Sequence, residues 1–179
     1  GFIVTNDGET IEVKSNRINA MLDAIEEMSG KVIIWARFRK DIISITEALR
    51  KKYGHNSTVN YFGDTSEKDR QHAILGIEND PNIKFFVANP QTGGRGLTLV
   101  KATNVIYYSN DFDLEKRIQS EDRNHRSGQT NQVVYVDLIA KGTIDEYIVK
   151  VLHNKIVLAG KALNEEAKKW LQISPKKDD

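Results

Sequence analysis

Five short apolar runs, most of them followed by a stretch of helical spacing, constrain this chain more than any other feature. Val32-Ile33-Ile34-Trp35-Ala36 is apolar at every position, as expected of a strand buried on both faces of a parallel sheet. Residues 58–62, 83–88, 104–108 and 133–140 read as four more strands. Helical patterns lie between them. One covers about 41–53 and is stopped by Gly54. A second starts at a Thr65 or Ser66 cap, carries Ala73, Ile74 and Ile77, and ends near Asn79-Asp80-Pro81. A polar helix is expected over 113–127, ended by Gly128. Thr143-Ile144-Asp145-Glu146 is a capping box, and Ile144, Tyr147, Ile148, Val151 and Leu152 share one face of the helix it starts. That helix is expected to continue towards Trp170 and Leu171, before a frayed tail over 174–179. Ahead of the first strand, Ile18, Met21, Leu22, Ile25 and Met28 mark a helix capped by Ser15 or Asn16 and ended at Gly30. Two short runs flanking Asn6-Asp7-Gly8 read as a hairpin.

Such alternation predicts an α/β domain with a mostly parallel central sheet flanked by helices. At 179 residues the chain can bury one real core. Its 39% hydrophobic content and net charge of +1 exclude a disordered chain. No apolar run reaches the ~18 residues of a membrane helix. With no Cys there is no disulfide scaffold and no Cys-ligated metal. A uniformly basic surface is excluded too, so any basic patch is local. Residues 31–52 hold seven bases against two acids, residues 84–101 hold three bases and no acid, and residues 1–30 hold six acids against two bases. The basic stretches cover two strand ends and a glycine loop, an arrangement suited to phosphates, although a solvated helix face explains 31–52 equally well. The chain opens Gly1-Phe2-Ile3-Val4, without a signal peptide or an initiator Met. It is therefore expected to be an internal piece of a longer protein, and cytoplasmic.

Ligands of doubly wound sheets sit beyond the carboxyl ends of the strands, which directs attention to the loops after Ala36, Phe62, Ala88 and Tyr108. No G-x-x-x-x-G-K-[ST], H-E-x-x-H or nucleophile elbow occurs, so the chain has no P-loop of its own. The four His (55, 72, 125, 153) lack metal spacing, and no metal site is expected. Thr92-Gly93-Gly94-Arg95-Gly96-Leu97-Thr98-Leu99 is a glycine loop whose backbone can approach a phosphate; by itself it favours a tight turn without a ligand. Gln119, Arg123 and Arg126 stand at i, i+4 and i+7, which on a helix would align one amide and two guanidiniums. A planar guanidinium suits the oxygens of a transferring phosphoryl group. On spacing alone, a solvated charged face is the simpler reading.

The order of these runs resembles the second RecA-like lobe of superfamily 2 helicases, and within it the Swi/Snf-like branch of double-stranded-DNA translocases. The Q-x-x-x-R-x-x-R-x-G-Q motif of that branch is matched at Gln119, Arg123, Arg126, Gly128 and Gln129. Its G-G-x-G-[IL]-x-L motif is matched at Gly93, Gly94, Gly96, Leu97 and Leu99. The segment from Val32 to Phe38, and Gly63, Thr65, Ser66 and Arg70, are similar to two further motifs. Phe112-Asp113-Leu114 stands where the branch has a Trp-Asn-Pro turn, Thr92 and Thr98 replace its Ala and Asn, and the large insertion of remodellers is not visible. The resulting expectation is a compact prokaryotic or viral DNA translocase or helicase.

The resemblance implies a RecA-like lobe over 15–160, a hairpin or linker from a missing first lobe over 1–14, and a helical extension with a frayed tail over 161–179. It implies ATP and Mg2+ in the whole protein, held mainly by an N-terminal ATPase lobe of the same polypeptide. Arg123 and Arg126 would act as arginine fingers, with Gln119 orienting them or touching the phosphate, and Gly94 and Gly96 would bring backbone near the nucleotide or the DNA. Arg37, Arg39, Gly63, Thr65, Thr92, Gly93 and Arg95 would grip the nucleic-acid backbone, double-stranded DNA being the expected partner, with no membrane involved. Two other classes stand beside this one. A nucleic-acid-binding module that kept the fold but not the motor would not require the Gln119, Arg123 and Arg126 constellation. A free-standing domain for a small nucleotide would be expected to carry a phosphate-binding fingerprint of its own.

Overall fold

The computed structural model describes residues 2–4, 7, 10–12, 15–63, 65–92, 97–124 and 129–162, with side chains described for 7, 15–63, 65–92, 97–124 and 129–158. The expected hairpin is present as antiparallel strands β1 (Phe2–Val4) and β2 (Thr10–Glu12), with Ile3 opposite Ile11. Helix α1 (Arg17–Glu26) follows and buries Met21 and Ile25. Asn16 stands at its N-cap position without a capping side-chain bond. The chain then enters β3 (Lys31–Trp35) through Gly30 at φ +85°. A side chain there would adopt a strained conformation, and its Cβ would stand 3.2 Å from Thr103 Oγ1.

From β3 onward strands and helices alternate: α2 (Arg39–Tyr53), β4 (Thr58–Tyr61), α3 (Glu67–Asn79), β5 (Phe85–Ala88), β6 (Ala102–Tyr107), α4 (Leu114–Glu121), β7 (Val134–Asp137) and α5 (Ile144–Ala162). The five strands β3 to β7 form one sheet in the order β4-β5-β3-β6-β7, and every pairing is parallel. β3 is central, which explains why its sequence is apolar without a break. Ile33 and Trp35 pack on one face with Phe86, Ile77, Leu99 and Val105. Val32 and Ile34 pack on the other with Met21, Ile42, Ile45, Leu49 and Ile106.

Ser66, one of the two expected caps, accepts a hydrogen bond from Asp69 N at the start of α3. The far end of α3 is closed by Lys31, whose Nζ donates to the carbonyls of Ile77 and Asp80 at 2.5 and 2.7 Å. These carbonyls have no partner within the helix. Thr143 caps α5 by accepting from Asp145 N at 3.2 Å. Of the apolar face expected on α5, Ile148 and Leu152 are buried, whereas Ile144 and Tyr147 are exposed. The expected continuation to Trp170 and Leu171 lies outside the described residues.

The helix expected over 113–127 is shorter. α4 ends at Glu121, and Asp122 to Asn124 form a turn. Asp113 caps its start by accepting from Lys116 N. At its other end tertiary bonds replace helical ones. The Arg123 carbonyl accepts from Leu99 N at 3.0 Å, Asn124 N turns back to the Glu121 carbonyl at 3.0 Å, and Asn124 Nδ2 reaches the carbonyls of Leu99 and Ala102. Continuing α4 would orphan these buried groups, at about 1–3 kcal/mol each. Gln119 and Arg123 therefore do not share one helical stripe, which corrects the expectation drawn from their spacing.

Candidate functional site at the carboxyl edge of the sheet

From β3 the chain winds one way to β4 and β5, then crosses to β6 on the other side of β3. The carboxyl ends of β3 and β6 thus flank the topological switch point where doubly wound sheets bind ligands. A small crevice lies there, lined among others by Arg37, Asn89, Ser109, Asp111, Lys116 and Arg117.

Hydrogen bonds lock the loops around it. Ser109 Oγ accepts from Arg37 N at 2.8 Å. Asn89, just after β5, donates its side-chain amide to the Arg37 carbonyl at 2.7 Å and its backbone N–H to the Tyr61 carbonyl at 3.2 Å. It also accepts from Thr92 N through its carbonyl. One asparagine therefore joins the loop after β3, the end of β4 and the loop after β5. Arg37 projects half-exposed beside Asp111, with Nε 3.7 Å from Oδ2, and its guanidinium lies over the Phe38 ring. Arg39 opens α2 on the exposed surface.

After β4, Thr65 Oγ1 accepts from Phe62 N, and Arg70 donates to the Gly63 carbonyl at 3.0 Å. These bonds hold Phe62, Gly63 and Thr65 beside Tyr61, over whose ring Arg70 lies. Arg37, Arg39, Gly63, Thr65 and Thr92 thus share one end of the sheet, as their positions after three parallel strands require. Gly93, Gly94, Arg95, Gly96 and Arg126 lie outside the described residues.

Gln119 is exposed and donates to Glu115 Oε1 at 2.9 Å. Arg123 is buried, with 6% of its surface exposed. Gln129 donates to the Val100 carbonyl at 2.8 Å. Backbone and side-chain bonds therefore tie the segment after the glycine loop, 97–102, to the arginine-bearing segment, 123–129, from both ends.

Sequence reasoning missed the group beneath the crevice. The Arg117 guanidinium lies 3.4 Å from the centre of the Tyr107 ring. It donates to Asn110 Oδ1 at 2.9 Å, to the two oxygens of Asp137 at 2.6 and 3.2 Å, and to Glu121. Tyr107 Oη is paired with Ser120 Oγ at 2.6 Å. Burial raises Glu121 above its ordinary value against the pull of Arg117. Burial also opposes the charge on Arg117, but Tyr107, Asp137 and Glu121 outweigh it and push the guanidinium up. A trace was present in the sequence. Leu114, Arg117, Ser120 and Glu121 lie on one helical face, and in an amphipathic helix that face turns inward.

Among the described residues, no group of three or more His, Asp or Glu could hold a metal ion. No helix among them is long and apolar enough to cross a membrane.

The helicase conserved C-terminal domain matches residues 14–128. The chain is 31% identical over 157 residues to the chromatin-remodeling ATPase INO80 of Mycosarcoma maydis, covering 85% of this chain and 8% of that protein. It is 32% identical over 145 residues to the SWI/SNF-related matrix-associated actin-dependent regulator of chromatin subfamily A containing DEAD/H box 1 of Xenopus tropicalis, covering 81% and 14%. The C-terminal part of the Fun30 ATPase domain superimposes with a TM-score of 0.71 at 29% identity, over 78% of this chain and 46% of that one. The chain thus spans a small fraction of its curated relatives. The two named relatives are eukaryotic chromatin proteins.

Proposed function

Since this chain belongs to the helicase conserved C-terminal domain family and has the fold of a RecA-like C-terminal lobe, we propose that it is the second motor lobe of an ATP-dependent, Swi/Snf-like DNA translocase. One observation carries the reading. The segment that follows the glycine loop and the segment that holds the paired arginines are bonded together at the carboxyl edge of the sheet, through Leu99 N to the Arg123 carbonyl and through Asn124 and Gln129. A module that only grips phosphates has no need of the Gln119, Arg123 and Arg126 constellation. A motor does, because a change at the nucleotide must reach the surface that holds the track.

In this reading Arg126 faces the γ-phosphoryl group and stabilises the charge that develops on it, and Arg123, buried in this lobe on its own, would join it by turning outward as the lobes close. Gln119, exposed and bonded to Glu115 in this lobe, would touch the phosphate rather than hold the arginines, and Gly94 and Gly96 bring backbone close to the nucleotide. ATP and Mg2+ are held mainly by a first lobe of the same polypeptide, since no P-loop is present here. The magnesium ligands belong to that lobe. Arg37, Arg39, Gly63, Thr65, Thr92, Gly93 and Arg95 contact the phosphate backbone of duplex DNA. Closure of the lobes on ATP and reopening after hydrolysis shift that grip. The remodelling relatives support a place on nuclear chromatin in a eukaryotic host.

The grip is tested by titrating duplex DNA against this chain at several salt concentrations. If about three phosphates are neutralised, log K falls against log salt with a slope of roughly −3, independent of sequence. A flat salt dependence or a strong base preference would contradict phosphate gripping.

A further inference from the structure

We propose that Arg117 is a positioning residue that holds the arginine-bearing turn after α4 in register with the segment after the glycine loop. The inference rests on the motor reading for its consequence in catalysis, but not for its structural content. Three elements converge on this one side chain. Asn110 belongs to the loop after β6, Asp137 ends β7, and Glu121 is the last residue of α4. Four of the five guanidinium N–H donors are engaged, and the plane is stacked on Tyr107 at the end of β6. Arg117 therefore fixes where α4 stops relative to the two strand ends beneath it.

The residues immediately beyond that stop inherit its position. Arg123 is two residues past Glu121, and its carbonyl accepts from Leu99 N. Asn124 N bonds back to Glu121, while the Asn124 side chain reaches Leu99 and Ala102. The path from the Arg117 cluster to the 97–102 segment is thus a continuous set of short bonds. Arg117 touches the crevice wall but is too enclosed to be a surface grip, with a side-chain exposure of 13%. An ammonium group cannot take its place. It lacks the plane that stacks on Tyr107, and it has three donors against the four bonds observed.

The test is Arg117→Lys, read in two ways. In this chain, hydrogen exchange at Leu99 N–H is expected to quicken at least tenfold more than exchange at Ile33 in the central strand, which reports global opening. In the two-lobe protein, kcat for DNA-stimulated ATP hydrolysis is expected to fall about tenfold with KM for ATP within twofold. Adding Arg117→Lys to Arg123→Lys is expected to lower kcat by less than the product of the two single effects, because Arg117 acts in part by placing Arg123. Equal acceleration at Leu99 and Ile33 would mean general loosening and would overturn the proposal, as would an unchanged Leu99. Independent, multiplying effects on kcat would also overturn it. Should the unmutated two-lobe protein hydrolyse no ATP, the motor reading fails, and Leu99 exchange still decides whether Arg117 holds the turn.

Discussion

Arg126→Lys in the two-lobe protein is expected to remove nearly all nucleic-acid-stimulated ATP turnover while leaving the melting temperature of this lobe unchanged. Lys keeps the positive charge but loses the planar fork that can span two phosphoryl oxygens. Arginine fingers are worth about 10³–10⁵ in rate in related phosphoryl-transfer systems, so even partial loss is easily measured. An ordinary surface arginine changed to Lys costs less than about 0.5 kcal/mol of stability and nothing in rate. Steady-state turnover beside a melting curve separates the two cases by orders of magnitude. Near-normal turnover with an unchanged melting temperature would assign Arg126 to ordinary surface.

The second large effect concerns folding. Arg117→Met leaves the buried Glu121 carboxylate and the half-buried Asp137 without their shared guanidinium. Removing one partner of a buried ion pair costs about 3–5 kcal/mol. For a domain of this size each kcal/mol lowers Tm by about 2–4 °C, so the expected fall is roughly 6–20 °C. The loss also depends on pH in a stated direction. Burial already raises Glu121 in the folded chain, and losing Arg117 raises it further. A carboxyl whose folded pKa lies above its unfolded value favours folding below the unfolded value and gives that up as pH rises through the folded one. The deficit of Arg117→Met is therefore greatest at neutral pH and narrows as pH falls towards the ordinary glutamate range. Melting curves at neutral and mildly acid pH check this; a deficit that widens on acidification would contradict it.

The parallel sheet was legible because one physical condition, burial on both faces, demands an unbroken apolar run. Val32 to Ala36 satisfies it, and all five residues are buried. Turn chemistry was equally direct at Ser66, where a hydroxyl ahead of an acidic first turn caps α3. Legibility failed where long-range bonds override local preference. Nothing in residues 113–127 announces that Leu99, more than twenty residues earlier, takes the Arg123 carbonyl and ends the helix. The same reason hid Arg117. Its partners Tyr107, Asn110 and Asp137 lie on separate elements, and only the sheet order brings them together. Of the expected grip, Arg37, Arg39, Gly63, Thr65 and Thr92 meet at one edge because parallel strands place their following loops on the same side. Asn89, which ties two of those loops to the end of β4, carries no recognisable motif.

The division of labour between two lobes is tested most directly by steady-state ATP hydrolysis, with and without duplex DNA, for this chain alone and for the same chain joined to its first lobe. This chain carries no P-loop to cradle a nucleotide. The expected result is no turnover from the chain alone under either condition, and DNA-stimulated turnover once the first lobe is present. DNA-stimulated hydrolysis by the isolated chain would contradict the assignment of this chain as the second half of a shared active site.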